Sequence, residues 1–235
     1  IPGSVYFDID RIAAQGAPLP HTLPDPVEFS SRIRTLGIGD GHRLVIYDRN
    51  RFIASARVWW MLRHMGVKDV FVLDGGLAAW TEAGGELDDR EPRYPVRHFT
   101  PRLQADLVKT LGQMKNIQAS ASTQIVDVRP QGRFTGQAAE PRAGLPSGHM
   151  PGSLNMPYSL LLTEAGYLKS TESLQDMVKK IGLSLDKPIV STCGSGVTAP
   201  VLTLALAKLG QDRSAVYDGS WSEWASQTDT PIATL

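Results

Sequence analysis

The chain has 235 residues, 42% of them hydrophobic and 20% charged, enough to bury the core of one large domain or of two smaller ones. Its 24 basic and 24 acidic residues cancel and no lysine or arginine run stands out, which excludes the electrostatic footprint of a nucleic-acid or anionic-lipid binder and favours a small-molecule or protein partner. One cysteine excludes an internal disulfide and there is no Cys/His ligand spacing, so no metal or organic cofactor is implied; with no long apolar run and no signal-like start, the expectation is a soluble, cytoplasmic protein with no membrane contact.

Residues 1–10 open abruptly on a turn and an extended apolar stretch, without the polar lead-in usual at a domain's start. Residues 11–26, rich in Pro, Gly and Ala, read as a long irregular loop carrying His21. An amphipathic helix is expected over 26–36, stopped at Gly37, then a buried strand over 44–48 and a helix over 54–65 closed by Gly66. Residues 70–73 form another strand, and the Asp-Gly-Gly turn at 74–76 leads to a short helix ending near Trp80. Strand, helix, strand, helix means a parallel α/β unit.

Residues 45–80 match residues 189–224 in pattern when shifted by 144 positions without a gap. Leu62 faces Leu206, Gly66 faces Gly210, and Asp74, Gly75 and Trp80 face Asp218, Gly219 and Trp224. The Pro-Gly-Ser at 2–4 likewise answers the one at 151–153. This is an internal duplication of about 150 residues, hence two similar α/β domains. The expected division is a first domain over 1–83, a linker over 84–100 without periodicity, and a second domain over 101–235. The second copy has a lead-in: a helix over 103–114, a strand over 124–129 and a loop running to His149. The first copy has no equivalent, so about 45–50 further residues are expected upstream in the native protein and the first domain reads as truncated at its start.

The second copy ends on a strand over 188–192, a loop Cys193, Gly194, Ser195, Gly196, Val197, Thr198, and an apolar helix over 199–209 stopped at Gly210. Two glycines let the loop curl so that backbone N–H groups converge above a helix N-terminus, an arrangement that favours an anion and hence the nucleophilic thiolate of Cys193. The ungapped match places Arg49 opposite Cys193, in a loop without glycine, so the first domain carries no nucleophile.

A tandem α/β pair with an inactive first copy and this loop in the second resembles the two-domain rhodanese superfamily, and within it the sulfurtransferases that use 3-mercaptopyruvate. The resemblance extends through Val-Ile-Tyr-Asp (45–48), Arg-Val-Trp-Trp (57–60), Asp-Gly-Gly-Leu (74–77), Gly-His-Met-Pro-Gly-Ser (148–153) and Tyr-Asp-Gly-Ser-Trp-Ser-Glu-Trp (217–224). It implies two tandem rhodanese-like domains, each a mainly parallel sheet flanked by helices. It also implies that Cys193 takes a sulfur atom from the donor as a persulfide and passes it to thioredoxin, a small thiol or cyanide. Gly194, Gly196, Val197 and Thr198 would cradle the sulfur through their amides. Arg133 and Arg142 match substrate-binding positions, and a guanidinium suits the carboxylate of a 2-oxo acid; the alternative for each is ion pairing, for instance with Glu140. Ser195 would serve proton transfer to the departing pyruvate, with His21 and Asp10 of the first domain as an orienting relay by resemblance. Asp127 and Arg129 read as a structural pair, and His149, Trp221 and Trp224 as turn and core elements.

Three other classes bound this reading. Thiosulfate sulfurtransferases share the fold, but their loop resembles Cys-Arg-Lys-Gly-Val-Thr, whose cations suit a dianion; here Gly194 and Ser195 replace both charges, making thiosulfate a secondary donor. A phosphatase of the same loop type needs arginine six positions after the cysteine, where this chain has Ala199. A silent binding module would leave Cys193 dispensable.

Overall fold

The computed structural model describes residues 1–235 and divides them into two units, the first comprising Ile1–Ala105 with Glu164–Tyr167, the second Asp106–Thr163 with Leu168–Leu235. In the first unit, α1 (Ile9–Ile12) interrupts the stretch expected to be extended and irregular, because the Asp8 carboxylate accepts the N–H groups of Asp10 and Arg11 and caps a single turn. Helix α2 (Pro26–Thr35) starts in the same way on Asp25, with proline at its first position. Strands β1 (Leu44–Ile46) and β2 (Val70–Val72) are parallel neighbours, joined by α3 (Ile53–His64), whose Trp59, Trp60, Met61 and Leu62 are all buried; α4 (Gly76–Glu82) follows β2. Residues 84–100 have no regular secondary structure, yet Phe99 is buried edge-on against Phe29 and its carbonyl accepts the Ser30 hydroxyl at 2.8 Å. The segment Glu164–Tyr167 joins this unit through the Arg51 guanidinium, which donates to the Glu164 carbonyl.

The second unit is built on β3 (Val108–Lys109), α5 (Leu111–Ser120), β4 (Gln124–Asp127), α6 (Gln131–Thr135), β5 (Leu154–Asn155), α7 (Thr171–Lys180), β6 (Ile189–Thr192), α8 (Ala199–Lys208), β7 (Ala215–Tyr217) and α9 (Ser220–Trp224). Its five strands pair in the order β3-β7-β6-β4-β5, all parallel. Met114, Ile125, Val190, Tyr217, Trp221 and Trp224 form one buried cluster. The helix expected over 103–114 begins instead at Leu111, where Thr110 and Gln113 form a reciprocal capping box; ahead of it the chain makes a 3-10 turn at Ala105–Leu107 and edge strand β3. The order places β4 beside β6, with Asp127 opposite Thr192. Loops leaving the carboxyl ends of neighbouring parallel strands are themselves neighbours, which is where such sheets gather their functional groups. The connection after β4 carries Arg133 on the short helix α6, where a loop running to His149 was expected, and the loop after β6 carries Cys193.

The duplication recurs in fine geometry. The Pro-Gly-Ser turns place Gly3 and Gly152 at φ values of 74° and 78°, and each serine N–H closes its turn on the carbonyl three residues back.

Candidate active site

Cys193 leaves the end of β6 with its side chain 1% exposed, and its loop is held from two sides. The Gly196 N–H donates to Cys193 Sγ at 3.2 Å; Gly196 has a φ of 80°, and a Cβ there would overlap the Asp218 carbonyl, so the curl requires glycine. The Val197 and Thr198 N–H groups meet no acceptor in the chain, and α8 begins directly after Thr198 without a side-chain cap. Of the amides expected to form the cradle, that of Gly196 is directed at Sγ. Ser195 is half-buried in the same loop.

The sequence did not mark Ser220. This residue is fully buried at a left-handed φ of 50°; its hydroxyl donates to the Tyr217 carbonyl at 2.8 Å, accepts the Cys193 N–H at 3.1 Å and lies 3.9 Å from Cys193 Sγ. A serine between glycine and tryptophan reads as the start of a core helix, and only its backbone conformation reveals the contact. Strain of this kind in a non-glycine residue costs on the order of 1 kcal/mol, and here it holds a hydroxyl against the cysteine.

Arg133 stands over the loop: its Nη2 is 2.9 Å from the place a Cβ would occupy on Gly194. The ion pairing weighed against its substrate role is also present, since Arg133 Nε donates to Glu140 Oε1 at 3.0 Å and Nη2 to Glu140 Oε2. Arg142 reaches the same loop through Ser222, whose hydroxyl accepts from Arg142 Nη1 and donates to the Gly194 carbonyl at 2.5 Å. Beneath them Arg129 is buried, bidentate to Asp127, bonded to the Gly148 carbonyl and stacked 4.2 Å above the Trp221 ring. Burial pushes the Asp127 carboxyl up while Arg129 pulls it down. These two are structural, as expected, and so are His149, stacked on Phe134 at 3.9 Å, and the buried Trp221 and Trp224.

In the first unit, His21 Nδ1 lies 2.9 Å from Asp10 Oδ1, so the histidine donates to the carboxylate through that nitrogen. The His21 backbone is left-handed at φ 61°, and its carbonyl accepts Arg57 Nη2 at 2.6 Å. Arg57 is itself fully buried, 4.5 Å over the Trp60 ring, a positioning role the sequence did not signal.

Strand register corrects the ungapped match at the loop. Ile46 pairs with Val72, and Ser191 with Val216; Leu77 N–H donates to the Asp48 carbonyl as Trp221 N–H does to that of Cys193. The first-unit loop is thus one residue longer, and the counterpart of Cys193 is Asp48 rather than Arg49. Its carboxylate accepts the N–H groups of Asn50, Phe52, Ala54 and Ser55 at 2.8–3.3 Å. An internal carboxylate takes the N–H groups of the nest that the second unit keeps for sulfur, so the first loop has no nucleophile and its amides are already engaged.

The rhodanese-like domain model matches residues 1–83 and 110–227. The chain is 40% identical over 235 residues to a 3-mercaptopyruvate sulfurtransferase of Escherichia coli O157:H7, spanning 100% of this chain and 83% of that protein. It is 39% identical over 227 residues to a thiosulfate sulfurtransferase of Gallus gallus, 95% of this chain and 78% of that one. The crystal structure of an Escherichia coli 3-mercaptopyruvate sulfotransferase superposes with a TM-score of 0.85 at 39% identity, covering 94% of this chain and 82% of that one.

Proposed function

The chain belongs to the rhodanese family, and from the surroundings of Cys193 we propose that it is an enzyme transferring sulfur from 3-mercaptopyruvate through a persulfide on that cysteine. The carrying observation is the Arg133 guanidinium set against neutral Gly194 beside Cys193, a cation for a carboxylate next to a loop that carries no charged side chain of its own. Arg142, tied to the same loop through Ser222, offers a second guanidinium. The relatives named for this donor support the same reading.

The Cys193 thiolate attacks the donor sulfur. A new S–S bond forms, the donor's C–S bond breaks, and its electron pair moves into the enolate of pyruvate, which takes a proton at carbon. Ser195 is assigned that proton delivery; His21 and Asp10, 2.9 Å apart within the first unit, are the pair that the family resemblance assigns to orienting it. The amides of Gly196, Val197 and Thr198 hold first the thiolate and then the anionic outer sulfur, and the Ser220 hydroxyl fixes the loop by accepting the Cys193 N–H. An acceptor thiolate, thioredoxin or a small thiol, or cyanide then attacks the outer sulfur and releases Cys193. A nucleophilic thiol that must stay reduced suits a cytoplasmic setting. No helix is long and apolar enough to cross a membrane.

Mass spectrometry after treatment with 3-mercaptopyruvate tests this directly: one sulfur atom is gained on Cys193, with stoichiometric pyruvate, and Cys193→Ser abolishes both. Thiosulfate is the slower donor by kcat/KM. A preference for thiosulfate, or turnover surviving in Cys193→Ser, overturns the proposal.

A further inference from the structure

Relatives of this chain at 40% and 39% identity carry the names of different donors, so overall similarity does not decide donor choice. The charges around the loop do bear on it. Arg129 already has a buried carboxylate partner in Asp127, yet its Nη1 also donates to Glu140 Oε1 at 2.7 Å. The Glu140 side chain is 3% exposed and has Arg133 on its other side, bound through both Nε and Nη2. Asp127, Arg129, Glu140 and Arg133 therefore form a chain of alternating sign whose charges cancel, ending where Arg133 meets Gly194. Arg142, bonded to a hydroxyl, is the one cation at the loop without a carboxylate.

We propose that Glu140 is the residue that sets donor selectivity, holding Arg133 side-on and cancelling its charge so that the loop presents one positive charge fewer than its two guanidiniums would supply, which suits a monocarboxylate over a dianion. This rests on the donor chemistry proposed above. Two geometric consequences follow. With Nε and Nη2 engaged by Glu140, Arg133 offers a substrate carboxylate its remaining end-on edge. A unit of added positive charge at this point would attract thiosulfate, with two negative charges, about twice as strongly as a monocarboxylate, because Coulomb energy scales with the ligand's charge. Glu140 acts through Arg133 and touches no substrate, so it is a positioning residue.

Glu140→Gln keeps the shape and removes the charge. Two ratios are read on the purified chain: the rates at which iodoacetate and iodoacetamide alkylate Cys193, and kcat/KM for thiosulfate over that for 3-mercaptopyruvate. Each ratio compares two reagents on one protein, so a general loss of active enzyme cancels. The expected alkylation ratio rises about fivefold and returns to the native value in about 1 M KCl, where the screening length is about 3 Å; the donor ratio, which also compares ligands one charge apart, rises by about the same factor. Glu140→Asp, which retains the charge, stays within about twofold of native in both. If Glu140→Gln gives no folded protein, Arg133→Gln serves with the opposite sign, lowering the alkylation ratio. An unchanged alkylation ratio, or a changed one with an unchanged donor ratio, overturns the proposal. A native protein that forms no persulfide from 3-mercaptopyruvate defeats the functional reading instead, and the alkylation comparison still reports on Glu140.

Discussion

At Gly194 an added methyl group meets the movable tip of Arg133, whereas at Gly196 it meets the Asp218 main-chain carbonyl with the backbone already at a left-handed φ. Gly194→Ala therefore displaces a guanidinium and leaves the loop standing: KM for 3-mercaptopyruvate rises about tenfold while kcat stays within about threefold. Gly196→Ala forces the loop open, removing the N–H from Cys193 Sγ and costing about 2–4 kcal/mol of stability, seen as a lower Tm together with a collapsed kcat. Steady-state kinetics and thermal melts on both variants check this, and equal effects would contradict it. Ser220→Ala is a third case. It removes the hydroxyl that accepts the Cys193 N–H at 3.1 Å, loosening the nucleophile, and kcat falls about tenfold with KM little changed.

At the level of elements, the loop after β1 and the loop after β6 are the same device with different contents. Asp48 accepts four main-chain N–H groups, so Asp48→Ala leaves partly buried donors unmet and lowers the stability of the first unit by about 1–2 kcal/mol, while Asp48→Asn, which keeps one acceptor oxygen, loses less. Denaturant unfolding of the two variants measures the difference. This counterpart of Cys193 was hidden from the sequence by a single extra residue in a loop, where a repeat match has no periodicity to hold its register. The elements themselves were legible where apolar runs ended on glycine, as at Gly66 and Gly210, because burial and a left-handed stop leave a strong local signal. Helix α5 was misplaced because the apolar residues at 103–107 belong to an irregular stretch, and the helix start is set by the Thr110–Gln113 box. At the site, the cysteine loop could be read from residue type and spacing, whereas the two arginines were singled out through the family resemblance. Ser220, Arg57 and the bridge through Glu140 could not, since each depends on what a distant segment brings against it.

Over the whole molecule, the two copies of the fold bury their sheets unequally. Val45 and Phe71 are 61% and 51% exposed, while the residues at the same registers of the second unit, Val190 and Ala215, are 0% and 2% exposed. The second sheet has neighbours on both sides of β6 and is covered by Met114 of α5, with Leu111 and Ile117 packed on the same cluster. The first has two strands, each with one unpaired edge. Opening free energy follows the apolar area and the ladder bonds lost, so the two units of this chain should open at different rates and to different extents. Hydrogen exchange followed by mass spectrometry reads this unit by unit. Peptides covering β4 and β6 exchange last and together, at the free energy of global unfolding of their unit, whereas peptides covering β1 and β2 exchange at least about tenfold faster, the equivalent of about 1.4 kcal/mol. The Cys193 loop shares the slow class through its bonds to α9, where Trp221 N–H and Ser222 N–H donate to the Cys193 and Gly194 carbonyls. Equal protection of β1 and β6 would mean that something other than sheet burial governs the first unit's stability.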